Sequence, residues 1–250
     1  MSDVRHAPRR DPFDGVLLVD KPAGPTSHDI VHRIRRHFRF RKVGHGGTLD
    51  PLATGLLVIL LGRGTRLSAW FMAADKTYEG TLRLGVTTDT QDADGRVLRE
   101  GDWTAITREQ LELALAAFRG DQLQTPPMVS AVKRDGVPLY KLARRGQEVE
   151  RQPRLIHIYE FRLLDFAPPQ VRFLLRCTKG TYVRTLCHDV GERLGCGGHL
   201  AQLRRLRSGD YDVRDATTMD TLMGLDTPGL VDLVIPLHRI PIPVPSPGVS

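Results

Sequence analysis

The chain has 250 residues, 40% hydrophobic and 26% charged, and its 36 Lys and Arg outnumber 29 Asp and Glu for a formal charge of +7. That balance suits a folded globular protein with one large core or two modest ones and argues against wholesale disorder. The basic excess fits a polyanionic partner, while the longest aliphatic run, residues 56–61, falls far short of the roughly twenty residues needed to cross a bilayer.

Residues 1–13 are polar and basic and include Pro8 and Pro12. Without the apolar stretch of a signal peptide, they are expected to form a flexible arm on a cytoplasmic protein. Residues 15–20 are β-prone and run into Lys21 and Pro22, which predicts a strand leading into a rigid loop. Thr26 then caps a helix with Asp29 at its third position, and Ile30, Val31, Ile34 and Phe38 share one face. The other face carries Arg33, Arg35, Arg36, Arg39, Arg41 and Lys42, six basic residues within positions 33–42 and no acid. Such a run is most often a solvated face. This one feeds straight into a glycine-rich loop that holds a single carboxylate, Asp50, which favours a phosphate-gripping role. Pro51 biases Asp50 away from helix, the glycines permit backbone angles other residues resist, and the run 56–61 follows as a buried strand.

Residues 78–84 alternate like a half-buried strand, and 90–95 supply turn residues before Arg96, Val97 and Leu98, so a hairpin is expected. Asp89, Asp92 and Asp94 resemble a calcium loop only faintly, with Gly95 one place late. Thr107 opens a helix carrying Leu111, Leu113, Leu115 and Phe118, which Gly120 can end. A block from Thr125 to Tyr140 precedes a basic helix over 141–145. Residues 155–164 and 171–177, separated by Pro168 and Pro169, read as an antiparallel pair, and 181–194 as the next helix. Strands and helices interleave without a regular βαβ rhythm, which predicts an α+β fold with a mixed, mainly antiparallel sheet flanked by helices. From Pro236 onward five prolines predict an extended tail. Cys177, Cys187 and Cys196 are too few for a disulfide framework and are expected to be reduced and buried. Cys196 and His199 lack the second pair that a zinc site needs, so no metal is expected.

The stretch Gly44-His45-Gly46-Gly47-Thr48-Leu49-Asp50-Pro51-Leu52-Ala53-Thr54-Gly55 resembles the catalytic loop of the TruB family of tRNA pseudouridine synthases. Three further blocks agree with that family in order: Asp20-Lys21-Pro22, the segment from Pro126 to Tyr140, and residues 177–186. The resemblance covers roughly residues 14–214. It implies the pseudouridine synthase fold in one catalytic domain over 14–235, and 236–250 are too few to build the PUA domain that relatives commonly carry. It also implies isomerisation of uridine 55 in the T arm of tRNA. The N1 glycosidic bond breaks, the uracil turns, and the bond re-forms through C5, with no cofactor consumed.

On this resemblance Asp50 is the catalytic carboxylate and Arg184 pairs with it, holding it ionised. Tyr78 stacks on the uracil, His45 fills the space left by a flipped base, and Tyr182 and Leu203 line the uridine pocket. Lys21, Pro22 and Asp92 support the site. Arg33, Arg36, Arg39, Arg41, Lys42, Lys133, Arg204 and Arg205 are the expected contacts to the RNA backbone. The enzyme is expected to be a monomer with no obligatory protein partner. Val129 stands where many relatives have tyrosine, and Gly46 where threonine is common. Two rivals remain: an RNA-binding protein without chemistry, which Asp50, Tyr78 and Arg184 together argue against, and an RNA-guided relative of the dyskerin type.

Overall fold

The computed structural model describes residues 13–128 and 149–241, together with the backbone of a short antiparallel pair, Lys133–Arg134 and Val137–Pro138. The arm before Phe13, Val129, Tyr140, the expected basic helix over 141–145, and residues 242–250 lie outside the described residues, as does the Lys133 side chain.

The first elements are β1 (Gly15–Lys21), α1 (Ser27–His37), β2 (Val43–His45) and β3 (Thr54–Leu61). Next come α2 (Ser68–Ala73), β4 (Lys76–Leu84), β5 (Val86–Thr88), β6 (Val97–Glu100), α3 (Arg108–Ala116) and β7 (Gly120–Gln124). With Lys133–Arg134 and Val137–Pro138 as β8 and β9, there follow β10 (Arg154–Ala167), β11 (Gln170–Cys177), α4 (Val183–Arg193) and β12 (Gly198–Ser208). The chain closes with β13 (Tyr211–Asp212), β14 (Thr217–Thr218), α5 (Met219–Met223), α6 (Thr227–Val231) and β15 (Ile235–Pro236). This is a mixed α+β architecture with mainly antiparallel strands.

The described residues form two compact units, one drawn from residues 13–51, 55–72 and 213–241, the other from residues 52–54, 73–128 and 149–212. In the first, β1 lies antiparallel to β3, β2 pairs with β3, and β14 joins β1 in parallel. Val16 to Val19 and Leu56 to Leu61 are all buried, because both faces of these strands are covered and an unbroken aliphatic run is then favoured over alternation. Helix α1 starts as its sequence predicts: Thr26 accepts from the Asp29 backbone N–H, and the Asp29 carboxylate accepts from the Thr26 N–H. Ile30, Val31 and Ile34 are buried on its inner face. The chain stays packed past Pro236, where an extended tail is expected to begin. Ile235 and Pro236 pair with Val16 and Gly15, and Ile240 is buried.

The second unit is an antiparallel sheet in the order β12-β4-β11-β10-β7. The expected pairing of residues 155–164 with 171–177 is present, Phe161 facing Leu175 and Arg162 facing Leu174. Phe173 and Phe161 meet edge to face at 5.2 Å, and Phe173 sits against Gly80, where a Cβ would lie 2.3 Å from its Cζ. Two expectations need correction. The hairpin arm is β5 rather than 78–84: Gly85 takes φ +83, ending β4, and Val86 to Thr88 then pair with β6. Leu113 is 71% exposed because it lies about 200° around the helix from buried Leu111, whereas Ala114 and Leu115 complete the buried stripe.

Leu57→Ala should cost about 3 kcal/mol, because it opens a cavity between covered strands. Urea denaturation should show a lower midpoint at an unchanged slope.

Candidate active site

In the first unit, the Asp50 loop is held by its flanking peptides. The Ser27 hydroxyl donates to the Leu49 carbonyl at 3.0 Å and accepts from the Leu49 N–H at 2.8 Å, gripping that residue from both sides. The Pro51 carbonyl accepts from the Gly24 N–H at 2.9 Å and from Lys21 Nζ at 3.2 Å. Lys21 is fully buried and also donates to the Pro22 carbonyl at 2.8 Å. Gly24 reaches Pro51 in a left-handed conformation, φ +102, which explains the glycine there. Asp50 is thus a partly exposed carboxylate between two anchored peptides. His45 ends β2 opposite Ile59, and its Nδ1 accepts from the Gly47 N–H at 3.4 Å. Gly46 cannot carry a side chain without displacement, since a Cβ would lie 2.5 Å from that of Phe71.

The second unit holds Tyr78, Asp92, Tyr182, Arg184, Leu203, Arg204 and Arg205. Arg184, at the second position of α4, is only 4% exposed, and its Nη1 lies 3.5 Å from the Asp92 carboxylate. Asp92 is itself buried and takes further bonds from the Thr90 hydroxyl and the Asp94 N–H. Tyr182 forms the N-cap of α4. Its N–H donates to Gln124 Oε1 at 2.7 Å and its carbonyl accepts from Gln124 Nε2 at 3.1 Å, so one buried amide fixes the start of the helix. Gln124, like Ser27, is a positioning group that sequence reasoning misses, because a glutamine in a strand or a serine at a helix start carries no local signature.

Tyr78, Leu203 and Arg205 lie on adjacent strands of this sheet. Tyr78 on β4 faces Arg205 on β12, and Leu203 faces Gly80. Leu203 is buried, and its carbonyl accepts from the Thr54 hydroxyl at 3.4 Å. Arg205 corrects an expectation: it is 1% exposed and donates to the Tyr78 hydroxyl, so its guanidinium is not presented to a phosphate. Arg204, one residue earlier and on the opposite face, is half-buried, with Nη1 3.5 Å from Thr54 Oγ1. Lys76, two residues before Tyr78, is buried as well. Desolvation, and then the nearby Arg205 charge, push its ammonium down to about 8.

Arg33, Arg36, Arg39, Arg41 and Lys42 are all exposed in the first unit, in keeping with a cationic surface. The three cysteines are free and buried, and burial pushes the Cys177 thiol up to about 12. The Asp89 carboxylate accepts from the Arg96 N–H at 2.9 Å, so protein donors occupy both this acid and Asp92. Among the described residues no group of three or more His, Cys, Asp or Glu could hold a metal ion, and no helix is long and apolar enough to cross a membrane.

The anchored loop carboxylate and the buried arginine–aspartate pair each lie within a stretch that matches a known family. Residues 35–183 match the TruB family pseudouridylate synthase N-terminal domain, and residues 184–240 match the tRNA pseudouridylate synthase B C-terminal domain. The chain belongs to the TruB family of pseudouridylate synthases, which are isomerases. It is 53% identical over 232 residues to tRNA pseudouridine synthase B of Opitutus terrae, covering 93% of this chain and 96% of that protein. It is 53% identical to the Syntrophotalea carbinolica protein of the same name, covering 84% and 69%. Among solved structures it resembles a chain of a Cbf5-Nop10-Gar1 complex at a TM-score of 0.72 and 28% identity, covering 91% of this chain and 61% of that one.

Ser27→Ala leaves the Leu49 N–H and carbonyl without their hydroxyl partner and should cost about 1–3 kcal/mol, read by urea denaturation. Lys76 sets a pH dependence. Below about 8 it is charged in both states and bears the desolvation cost. Between about 8 and its ordinary 10.5 the unfolded chain binds more protons, so stability rises with pH. The gain should reach at most roughly 3 kcal/mol, and the rise should disappear in Lys76→Met.

Proposed function

We propose that the chain converts uridine 55 in the T arm of tRNA to pseudouridine. The anchoring of Asp50 between the Ser27-held and Lys21-held peptides carries the reading, supported by relatives named tRNA pseudouridine synthase B. Asp50 supplies the carboxylate at the sugar, as nucleophile or base, when the N1 glycosidic bond breaks. Arg184, buried and paired with Asp92, serves substrate binding. Tyr78 stacks on the uracil while it turns to present C5, and Tyr182 and Leu203 close the pocket around it. The C5 proton leaves as the new carbon–carbon bond forms, N1 gains one, and the product is an isomer of the substrate.

The target base lies within a folded arm and must be extruded, and His45 occupies the space it vacates. Arg33, Arg36, Arg39, Arg41, Lys42, Lys133 and Arg204 contact phosphates, the exposed positions of the first five supporting that role. The protein acts in the cytoplasm, as a monomer and without an obligatory protein partner. Residues 14–235 form its catalytic domain.

An unmodified tRNA transcript incubated with the wild type should gain pseudouridine at position 55, and Asp50→Asn should abolish product while RNA affinity stays within about twofold, since only the reacting carboxylate is lost. Binding without product from the wild type would overturn the assignment.

A further inference from the structure

In the first unit a cavity of about 440 Å³ is lined by two phenyl rings, Phe13 and Phe40, and by three cations, Arg41, Lys42 and Arg63. That volume falls within the roughly 300–1,000 Å³ of small-molecule pockets. Phe13 and Phe40 are half-buried with ring centroids 5.0 Å apart, and Phe40 lies 5.7 Å from the buried Phe38. The backbone bends to bring Phe40 here. Arg39 takes φ +55, a left-handed conformation that favours glycine, and the Phe40 N–H donates to the Arg35 carbonyl at 3.0 Å, closing α1. Asp14 and Gly62 complete the lining, and a Cβ at Gly62 would lie 2.1 Å from Asp14 Oδ1. Glycine there lets Asp14 accept from the Arg63 backbone N–H at 2.7 Å and from Arg63 Nε. The acid is thereby paired, and it fixes the guanidinium at the cavity wall. Three cations against one paired acid leave the cavity positive.

We infer that this cavity is a second RNA site, built from none of the residues assigned to the uridine pocket, and that it takes one unpaired nucleotide. The inference rests on the reading of an RNA as the partner. The base stacks on the phenyl rings, and Arg41, Lys42 and Arg63 hold the phosphate beside it. Every base offers a flat π face, so an aromatic platform accepts it without reading sequence. An arginine fork matches phosphate oxygens, and one held by a carboxylate loses less freedom on binding them. An apolar peptide would use the rings and leave three cations idle, whereas an acidic peptide would use the cations and leave the rings idle. A nucleotide uses both. The rings therefore turn a cationic surface, along which a phosphate backbone could slide, into a seat for a particular nucleotide.

The test is binding of a fluorescent single-stranded hexa-adenylate, which holds no uridine, and of a tRNA transcript, by the wild type, Phe40→Leu, Phe40→Tyr and Arg41→Ala. Phe40→Leu keeps apolar bulk but removes the π face and should weaken hexa-adenylate binding roughly tenfold, while Phe40→Tyr should stay within about twofold of the wild type. Arg41→Ala should reduce the slope of log K against log salt by roughly 0.7, the share of one phosphate contact on a single strand. On tRNA, Phe40→Leu should weaken binding roughly threefold or more and leave the single-turnover rate at saturating protein unchanged, because it touches no reacting group. Equal affinity of Phe40→Leu and the wild type for hexa-adenylate would leave a merely cationic surface and overturn the inference. Binding that appears only after residues 2–12 are removed would assign the cavity to the chain's own arm and overturn it too. Should Phe40→Leu fail to fold, Phe13→Leu carries the same comparison. A wild type that binds hexa-adenylate through Phe40 yet forms no pseudouridine removes the functional reading and upholds the RNA site, whereas an active wild type indifferent to the loss of the ring removes only the site.

Discussion

Everything the Asp50 loop can do depends on two carbonyls and one N–H that flank the acid. Leu49 is bound at both of its backbone groups by Ser27, and Pro51 is bound by Gly24 and Lys21. These three anchors come from the end of β1, the turn after it and the first residue of α1, so one strand–turn–helix unit forms a cradle for the loop. A neutral hydrogen bond contributes about 1 kcal/mol net and one to a charged donor about 1.5–3. The buried ammonium of Lys21 is therefore the strongest of the anchors, and its isolation from water makes it stronger. Proline at 22 and 51 adds stiffness, since each removes a soft dihedral from the segments being joined.

The second unit has a different physical character. Among its described residues Lys76, Arg184 and Arg205 are buried cations, and Asp92 is the buried carboxylate. Burying these cations works against stability, as the Lys76 ammonium records, pushed down first by desolvation and then by the Arg205 charge. The same excess suits a protein whose substrate, as proposed, is a polyanion. The arrangement exchanges folding free energy for an interior that favours negative charge.

Much of this was legible in the residues and some was not, for physical reasons. The α1 capping box and its apolar stripe are local, so Thr26, Asp29, Ile30 and Ile34 could be read directly. The β10–β11 pairing was readable because a turn separates two apolar runs of matching length. The break at Gly85 was not, because a glycine in a strand-like pattern does not reveal its sign of φ. Arg205 was misread as a surface contact because it adjoins Arg204, yet in a strand neighbouring residues face opposite ways. Asp50 and Arg184 stand out through long motif matches, whereas Ser27 and Gln124 act across 22 and 58 positions of sequence and leave no pattern along the chain.

The two loops share a method of construction. Near Arg184, Gly180 turns the chain at φ +78, the Thr181 hydroxyl donates to the Thr178 carbonyl at 3.0 Å, and Gln124 grips both backbone groups of Tyr182. Near Asp50, Ser27 grips both backbone groups of Leu49 in the same manner. In each case a side chain from elsewhere supplies the donor and acceptor that a helix or strand would have supplied, so a loop acquires the rigidity of a regular element without its geometry. The side chain at the tip is then largely relieved of holding the loop in place. The work of holding the loop thereby falls to other residues, and the side chain at its tip can be tuned by its surroundings without loosening the frame that aims it.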